Sequence, residues 1–182
     1  MKKLICLDPG WGGAVVYYIP KIRKVGASLC PLTPRDMLKL VSSLQSKYGG
    51  VMDGWIAVME NNHSSPIFGA KGNFGLGRNI GSWETTFASF NIRIEYVNPK
   101  TWQKLIRQEK SSFTKGRQMV KEKSWKFAKR CYPQYNDMLG ETRPSPRNPR
   151  QGISDALCLL EYIRRRGNGE EDNFRGSSRR SK

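Results

Sequence analysis

Apolar positions recur along this chain with two different periods, and the changes of period divide it into elements. Lys3–Asp8 is an apolar run ending on one carboxylate, which predicts a strand buried on both faces. Residues 13–19 are β-branched and aromatic, and the short Gly12-Gly13 link makes them the hairpin partner of that strand. A third strand over Lys24–Leu29 completes an antiparallel meander. Thr33-Pro34 then starts a helix, with Thr as N-cap and Pro in the first turn. Met37, Leu38, Val41 and Leu44 repeat at helical spacing until Tyr48-Gly49-Gly50 ends it.

The second half alternates strands with helices. Trp55–Glu60 is another buried strand, again closed by a carboxylate, followed by an expected glycine-rich polar loop over 61–77 and a helix over 77–89. Residues 92–97 alternate as a strand that Asn98-Pro99 stops; a short helix over 99–106 and a long basic one over 115–131 follow. Pro144, Pro146 and Pro149 mark an irregular connection into a last helix over 152–165, whose apolar face carries Ala156, Leu157, Leu159, Leu160 and Ile163. A meander followed by alternating elements predicts one mixed α/β layered domain over 1–166. Residues 167–182 hold almost no apolar side chain, cannot offset their ordering entropy, and read as a basic disordered tail.

Charge changes this picture more than length does. The 182 residues are 37% hydrophobic, enough for one well-cored domain. Against 15 acids stand 32 lysines and arginines, a formal charge of +17, which implies a polyanionic partner and nucleic acid before any other. A membrane is not expected, because no apolar run approaches the ~20 residues a span needs. The two N-terminal lysines precede an apolar run broken at Asp8, which does not read as a secretion signal. Cys6, Cys30, Cys131 and Cys158 are scattered, with neither CxxC nor zinc spacing, and read as reduced thiols of a soluble intracellular protein. The glycine-rich segment lacks a following Gly-Lys-Ser/Thr, so no nucleotide cofactor is expected.

Three acids sit in similar settings: Asp8 and Glu60 at strand ends, and Asp155 near the start of the last helix. A carboxylate closing an apolar strand costs desolvation unless a cation or a proton compensates it. If the two strands are neighbours, Asp8 and Glu60 lie side by side, and the last helix can lay Asp155 against them. Clustered carboxylates suit Mg²⁺ or Mn²⁺, and two such ions about 4 Å apart clamp the attacking water and leaving oxygen of a phosphodiester. Taken alone, Asp155 also reads as a helix-initial acid favoured by the dipole.

Four segments, in order, resemble the motifs of RuvC-type Holliday junction resolvases: Leu7-Asp8-Pro9-Gly10 with Gly13-Ala14, Val58-Met59-Glu60, Val97-Asn98-Pro99-Lys100-Thr101-Trp102-Gln103-Lys104, and Gly152-Ile153-Ser154-Asp155-Ala156-Leu157. The phage-like and plant-organellar branch is the nearer match. The resemblance implies an RNase H-like fold, a mixed five-stranded sheet with helices on both faces. It also implies a homodimer and Mg²⁺-dependent symmetric cleavage of four-way DNA junctions. Asp8, Glu60 and Asp155 would then be the metal ligands. The family has a fourth acid or a histidine about one helical turn before the last Asp; here stand Arg150, Gln151 and Gly152. Gln151 would hold a metal-bound water or an ion weakly through its carbonyl oxygen, unless Asp137 or Glu141 enters from the preceding loop.

The expected DNA contacts follow the basic stretches. Lys100 and Lys104 follow one strand, Lys115, Arg117 and Lys121 load the next helix, and Arg143, Arg147 and Arg150 precede Asp155. Such contacts supply salt-dependent affinity with little sequence information. Lys115 or Lys121 is also a candidate to approach the metal site. Phe68, Lys71 and Phe74 lie in the glycine-rich segment, where exposed aromatics would stack on unpaired bases at a junction centre. His63 reads as a surface residue. Two other readings stay open: an RNase H-like nuclease acting on hybrids, flaps or other branched DNA, and a non-catalytic nucleic-acid-binding protein.

Overall fold

Alternation along the first strand sets the layers. In the computed structural model, which describes residues 2–10, 12–49, 54–62, 66–141 and 150–168, strand β1 (Lys3–Asp8) sends Leu4 and Cys6 to one core and Ile5 and Leu7 to the other. That is the two-residue period of a pleated strand with both faces covered. β1 pairs antiparallel with β2 (Ala14–Ile19) and parallel with β4 (Trp55–Glu60). β2 pairs antiparallel with β3 (Lys24–Leu29), and β4 pairs parallel with β5 (Arg93–Val97), in the order β3-β2-β1-β4-β5. The meander and the five-stranded mixed sheet are as expected.

Helices cover both faces. On the Ile5 and Leu7 side, α1 (Pro34–Tyr48) contributes Met37, Val41 and Leu44, and α2 (Gly69–Ser89) contributes Trp83 and Phe87. Thr33 caps α1 as its sequence predicts, accepting from the Asp36 N–H at 3.2 Å and donating its hydroxyl to Asp36 Oδ2 at 2.7 Å. On the other side, α4 (Gly116–Cys131) and α6 (Arg150–Gly167) pack over Leu4, Cys6, Val16 and Val58. α3 (Pro99–Trp102) continues as a 3-10 turn through Ile106, and α5 (Asn136–Leu139) follows α4. In α6 every residue from Gln151 to Leu160 is buried, so this helix is the centre of the second core and its side chains have little freedom to shift.

Two expectations are corrected. The glycine-rich segment is not a flexible loop: from Gly69 onward it is the first half of α2. The second half is anchored in the core by Trp83, Thr86 and Phe87, and that tertiary packing outweighs the poor helix preference of the glycines before it. The last helix begins at Arg150, two residues before the expected start. His63, Arg143, Arg147 and the three prolines before α6 lie outside the described residues, as does the basic tail from residue 169 on. The four cysteines are unbonded, with Cys6 and Cys158 buried. Among the described residues no helix is long and apolar enough to cross a membrane.

Candidate active site

The register of the central strands brings the first two acids together. Leu7 of β1 faces Met59 of β4 in a parallel pairing, so Asp8 and Glu60 follow at equivalent positions on neighbouring strands. Cys6 and Val58 point into the core under α6, and strand alternation turns Asp8 and Glu60 to that same face. α6 runs across this edge and delivers Asp155, which is 6% exposed. Three acids from three distant segments therefore share one corner of the sheet.

Each carboxylate is held by a named donor. The Gly10 N–H donates to Asp8 Oδ1 at 3.2 Å. The Trp102 Nε1–H donates to Glu60 Oε1 at 2.9 Å. Asp155 is held on both oxygens: Lys121 Nζ from α4 pairs with Oδ2, and Gln151 Nε2, one turn earlier on α6, donates to Oδ1 at 3.2 Å. The same Gln151 nitrogen reaches Ser124 Oγ at 3.0 Å, and its Oε1 is buried with no partner among the described residues. Gln151 thus offers its nitrogen to the site where its carbonyl was expected. Asp137 and Glu141 are exposed on and just after α5.

The electrostatics show a corner short of positive charge. Loss of water pushes Asp8 above the usual carboxylate range, and Asp155 adds to the rise; Lys121, the Gly10 N–H and Arg117 oppose it. Burial, then Asp8 and Asp155, push Glu60 to about 7 against its ordinary 4.5, opposed by Trp102 and Asn62. Burial alone would lower the Lys121 ammonium, but Asp155 and Asp8 hold it above its ordinary value. Carboxylates that stay raised in a chain of +17 are not balanced by the cations the fold supplies. A hard divalent cation fits that deficit, with oxygen donors of the type it prefers. Among the described residues no three of His, Cys, Asp and Glu are drawn close enough to hold one ion as they stand; Lys121 already occupies one edge of Asp155.

A pH experiment follows from Glu60. Its folded pKa lies above its unfolded value, so its contribution to stability is full below about 4.5 and is lost as pH rises through about 7. Metal-free protein should lose up to about 3 kcal/mol between pH 4.5 and 8. Melts in chelator should show this loss in the native chain and a much flatter profile in Glu60→Gln, with Mn²⁺ restoring the native chain at pH 8.

The cations divide into two groups. Lys71, Lys100, Lys104, Lys115, Arg117 and Arg150 are exposed, with Arg117 stacked over Phe68 at 5.8 Å. Phe74 is 73% exposed on α2. Lys123, Lys126 and Lys129 instead bond the backbone carbonyls of Arg107, Lys110 and Gly140, and Arg130 pairs with Glu109. Much of the charge on α4 is therefore spent inside the molecule. Glu122 accepts from Ser111 Oγ, Ser112 N and Ser112 Oγ at 2.7–2.9 Å, tying down the segment that leads to Lys115.

Trp102 stands in the sequence only as part of one motif segment, and its bond to Glu60 comes from the structure. Lys121 carried a usable signal. It shares a helical stripe with Ser124 and Ala128, both buried, and a lysine in such a stripe needs a buried acid as partner.

No protein-family model matches the chain, and no curated protein does. Solved structures do. The Thermus thermophilus RuvC in complex with Holliday junction substrate superposes with a TM-score of 0.53 at 9% identity, over 90% of this chain and 96% of that one. A second T. thermophilus RuvC structure gives 0.53 at 10% identity, over 91% and 96%. The likeness is one of fold: this chain has the mixed five-stranded α/β architecture, RNase H-like, of RuvC.

Proposed function

We propose that this protein is a divalent-metal-dependent endonuclease that cuts branched DNA, four-way junctions first, and acts as a homodimer. The observation that carries the reading is the shared corner of Asp8, Glu60 and Asp155 in a strongly basic chain. Its support is the RuvC fold, one example of which was solved with a Holliday junction substrate.

Asp8 and Glu60, with Asp155 as third donor, would hold Mg²⁺ or Mn²⁺, which when bound activates water and offsets phosphate charge; two ions per site is the expectation the family carries. The protein's own part is positioning. Trp102 fixes Glu60, Gly10 fixes Asp8, and Gln151 with Lys121 fixes Asp155. Lys121 also brings positive charge to the place where negative charge grows during phosphodiester cleavage. Lys71, Lys100, Lys104, Lys115, Arg117 and Arg150 would hold the backbone, as would Arg147, and Phe74 would meet bases at the junction centre. A dimer supplies the two sites that paired symmetric nicks need.

One observation favours a second, non-catalytic reading: Lys121 already neutralises Asp155. A substrate panel separates the two. Four-way junction, flap, duplex and RNA–DNA hybrid are incubated with and without Mg²⁺, and mass is measured by light scattering. Paired nicks confined to the junction by a dimeric protein are the expected result. Hybrid-only cleavage would move the substrate to RNase H-type chemistry, and tight binding with no metal-dependent cut would sink the catalytic reading.

A further inference from the structure

Beside the acid corner lies a cleft of ≈350 Å³ lined by Glu60, Asn61, Asn62, Ile80, Glu84 and Tyr96. It opens past the ends of β4 and β5 and is walled by α2. Its size is at the small end of the range for ligand sites, room for a single ring system with its water. The lining is unusual for this molecule. In a chain with 32 lysines and arginines, none lines this cleft, while two carboxylates do. A phosphate is repelled from such a place. A neutral, planar group with hydrogen-bond donors at its edge is accepted.

The hydrogen bonds define what that group must offer. Tyr96 is 45% exposed and donates its hydroxyl to Glu84 Oε1, which fixes the Glu84 carboxylate while leaving the phenol face open. The Asn61 N–H is spent on the Val97 carbonyl at 2.8 Å and the Asn62 N–H on the Glu60 carbonyl at 2.9 Å. The backbone donors of these two lining residues are thus taken, and the Asn62 side chain bonds Glu60; what they can offer a ligand is side-chain amide, a group that reads base edges. Ile80 supplies an apolar surface. Because Glu60 belongs to both places, a ring seated here belongs to the nucleotide next to the scissile phosphate.

We propose that this cleft is a base-reading pocket for the nucleotide flanking the cut, and that Glu84 selects a base with an amino group at its edge over thymine. The proposal rests on the nuclease reading above and adds sequence preference to it. An amino group of adenine, cytosine or guanine satisfies the Glu84 oxygen. Thymine has no amino group, and its one edge donor, N3–H, is flanked by two carbonyls that a carboxylate repels. A single good carboxylate–amine contact discriminates by about tenfold or more.

The test varies the base on either side of the cut in otherwise identical junctions. The native chain should cut thymine-flanked sites about tenfold more slowly than the best amino-bearing base. Glu84→Gln keeps the shape and an oxygen for Tyr96, adds a donor, and should erase or invert that ranking with an unchanged melting temperature. Asn61→Ala, a second variant, should weaken the preference without reversing it. Equal rates for all four bases, or a ranking that survives Glu84→Gln, overturns the pocket. Binding is read in parallel by anisotropy with Asp8→Asn protein. A cytosine-over-thymine affinity difference that Glu84→Gln removes supports the pocket even if no junction is cut, an outcome that sinks the nuclease reading alone. Equal affinities in both proteins overturn the pocket whatever becomes of cleavage.

Discussion

Asp8→Asn is expected to lower junction cleavage by about a thousandfold or more, because it removes a charged donor at the centre of the acid corner. Junction affinity should stay within about twofold, since the exposed cations that contact phosphates are on other elements. Stability should move the other way. Asp8 is held above the usual carboxylate range by lost hydration and by Asp155, so at neutral pH its ionised form costs the fold free energy. Asparagine removes that cost and keeps an oxygen for the Gly10 N–H. In chelator at pH 8 the variant should therefore melt higher than the native chain, and added Mn²⁺ should stabilise the native chain far more. Single-turnover cleavage, anisotropy and paired melts measure the three quantities. Cleavage within tenfold of native would remove Asp8 from the chemistry. A lower melting point would mean that Lys121 and Arg117 already balance the corner.

How much of this corner was legible beforehand depends on the range of the signal. Asp8 and Glu60 stood out because each closes an apolar strand, and strand alternation is local in sequence. Whether the two strands are neighbours was left open by the sequence; the structure pairs them in parallel, with the helix α1 in the crossover. Asp155 was visible as an acid on an apolar helix, and Lys121 only as one of two candidate lysines beside Lys115. Which lysine of a basic helix turns inward is decided by packing of α4 on α6, a contact between segments about thirty residues apart. The glycines of α2 misled for the opposite reason. Their local preference is against helix, and buried Trp83 and Phe87 override it. The direction of the Gln151 amide was likewise out of reach, because Ser124 and Asp155 set it together.

Gly152 is the second position where a small change should have a large effect, and here the sign is the test. In a helix interior, Gly→Ala alone stabilises by about 1 kcal/mol through backbone entropy. At Gly152 an added Cβ would stand 2.1 Å from the Gly12 carbonyl oxygen and 2.7 Å from the Gly13 Cα. Both are backbone atoms of the turn joining β1 to β2, and that turn is itself closed by the Gly13 N–H on the Gly10 carbonyl at 2.9 Å. Relief requires α6 to back away from the sheet, through a stretch where every residue from Gln151 to Leu160 is packed. Gly152→Ala should therefore destabilise by about 3 kcal/mol, and Asp155 should lose its register with Asp8 and Glu60. Gly77→Ala in α2 is the control: nothing lies within 4 Å of its Cβ, so it should stabilise by about 0.5–1 kcal/mol. Urea unfolding of both variants reads the two signs, and a stabilised Gly152→Ala would mean the turn yields. Any side chain at 152 would meet the turn before it could reach the acids, so the side chain that reaches Asp155 from one turn earlier is that of Gln151.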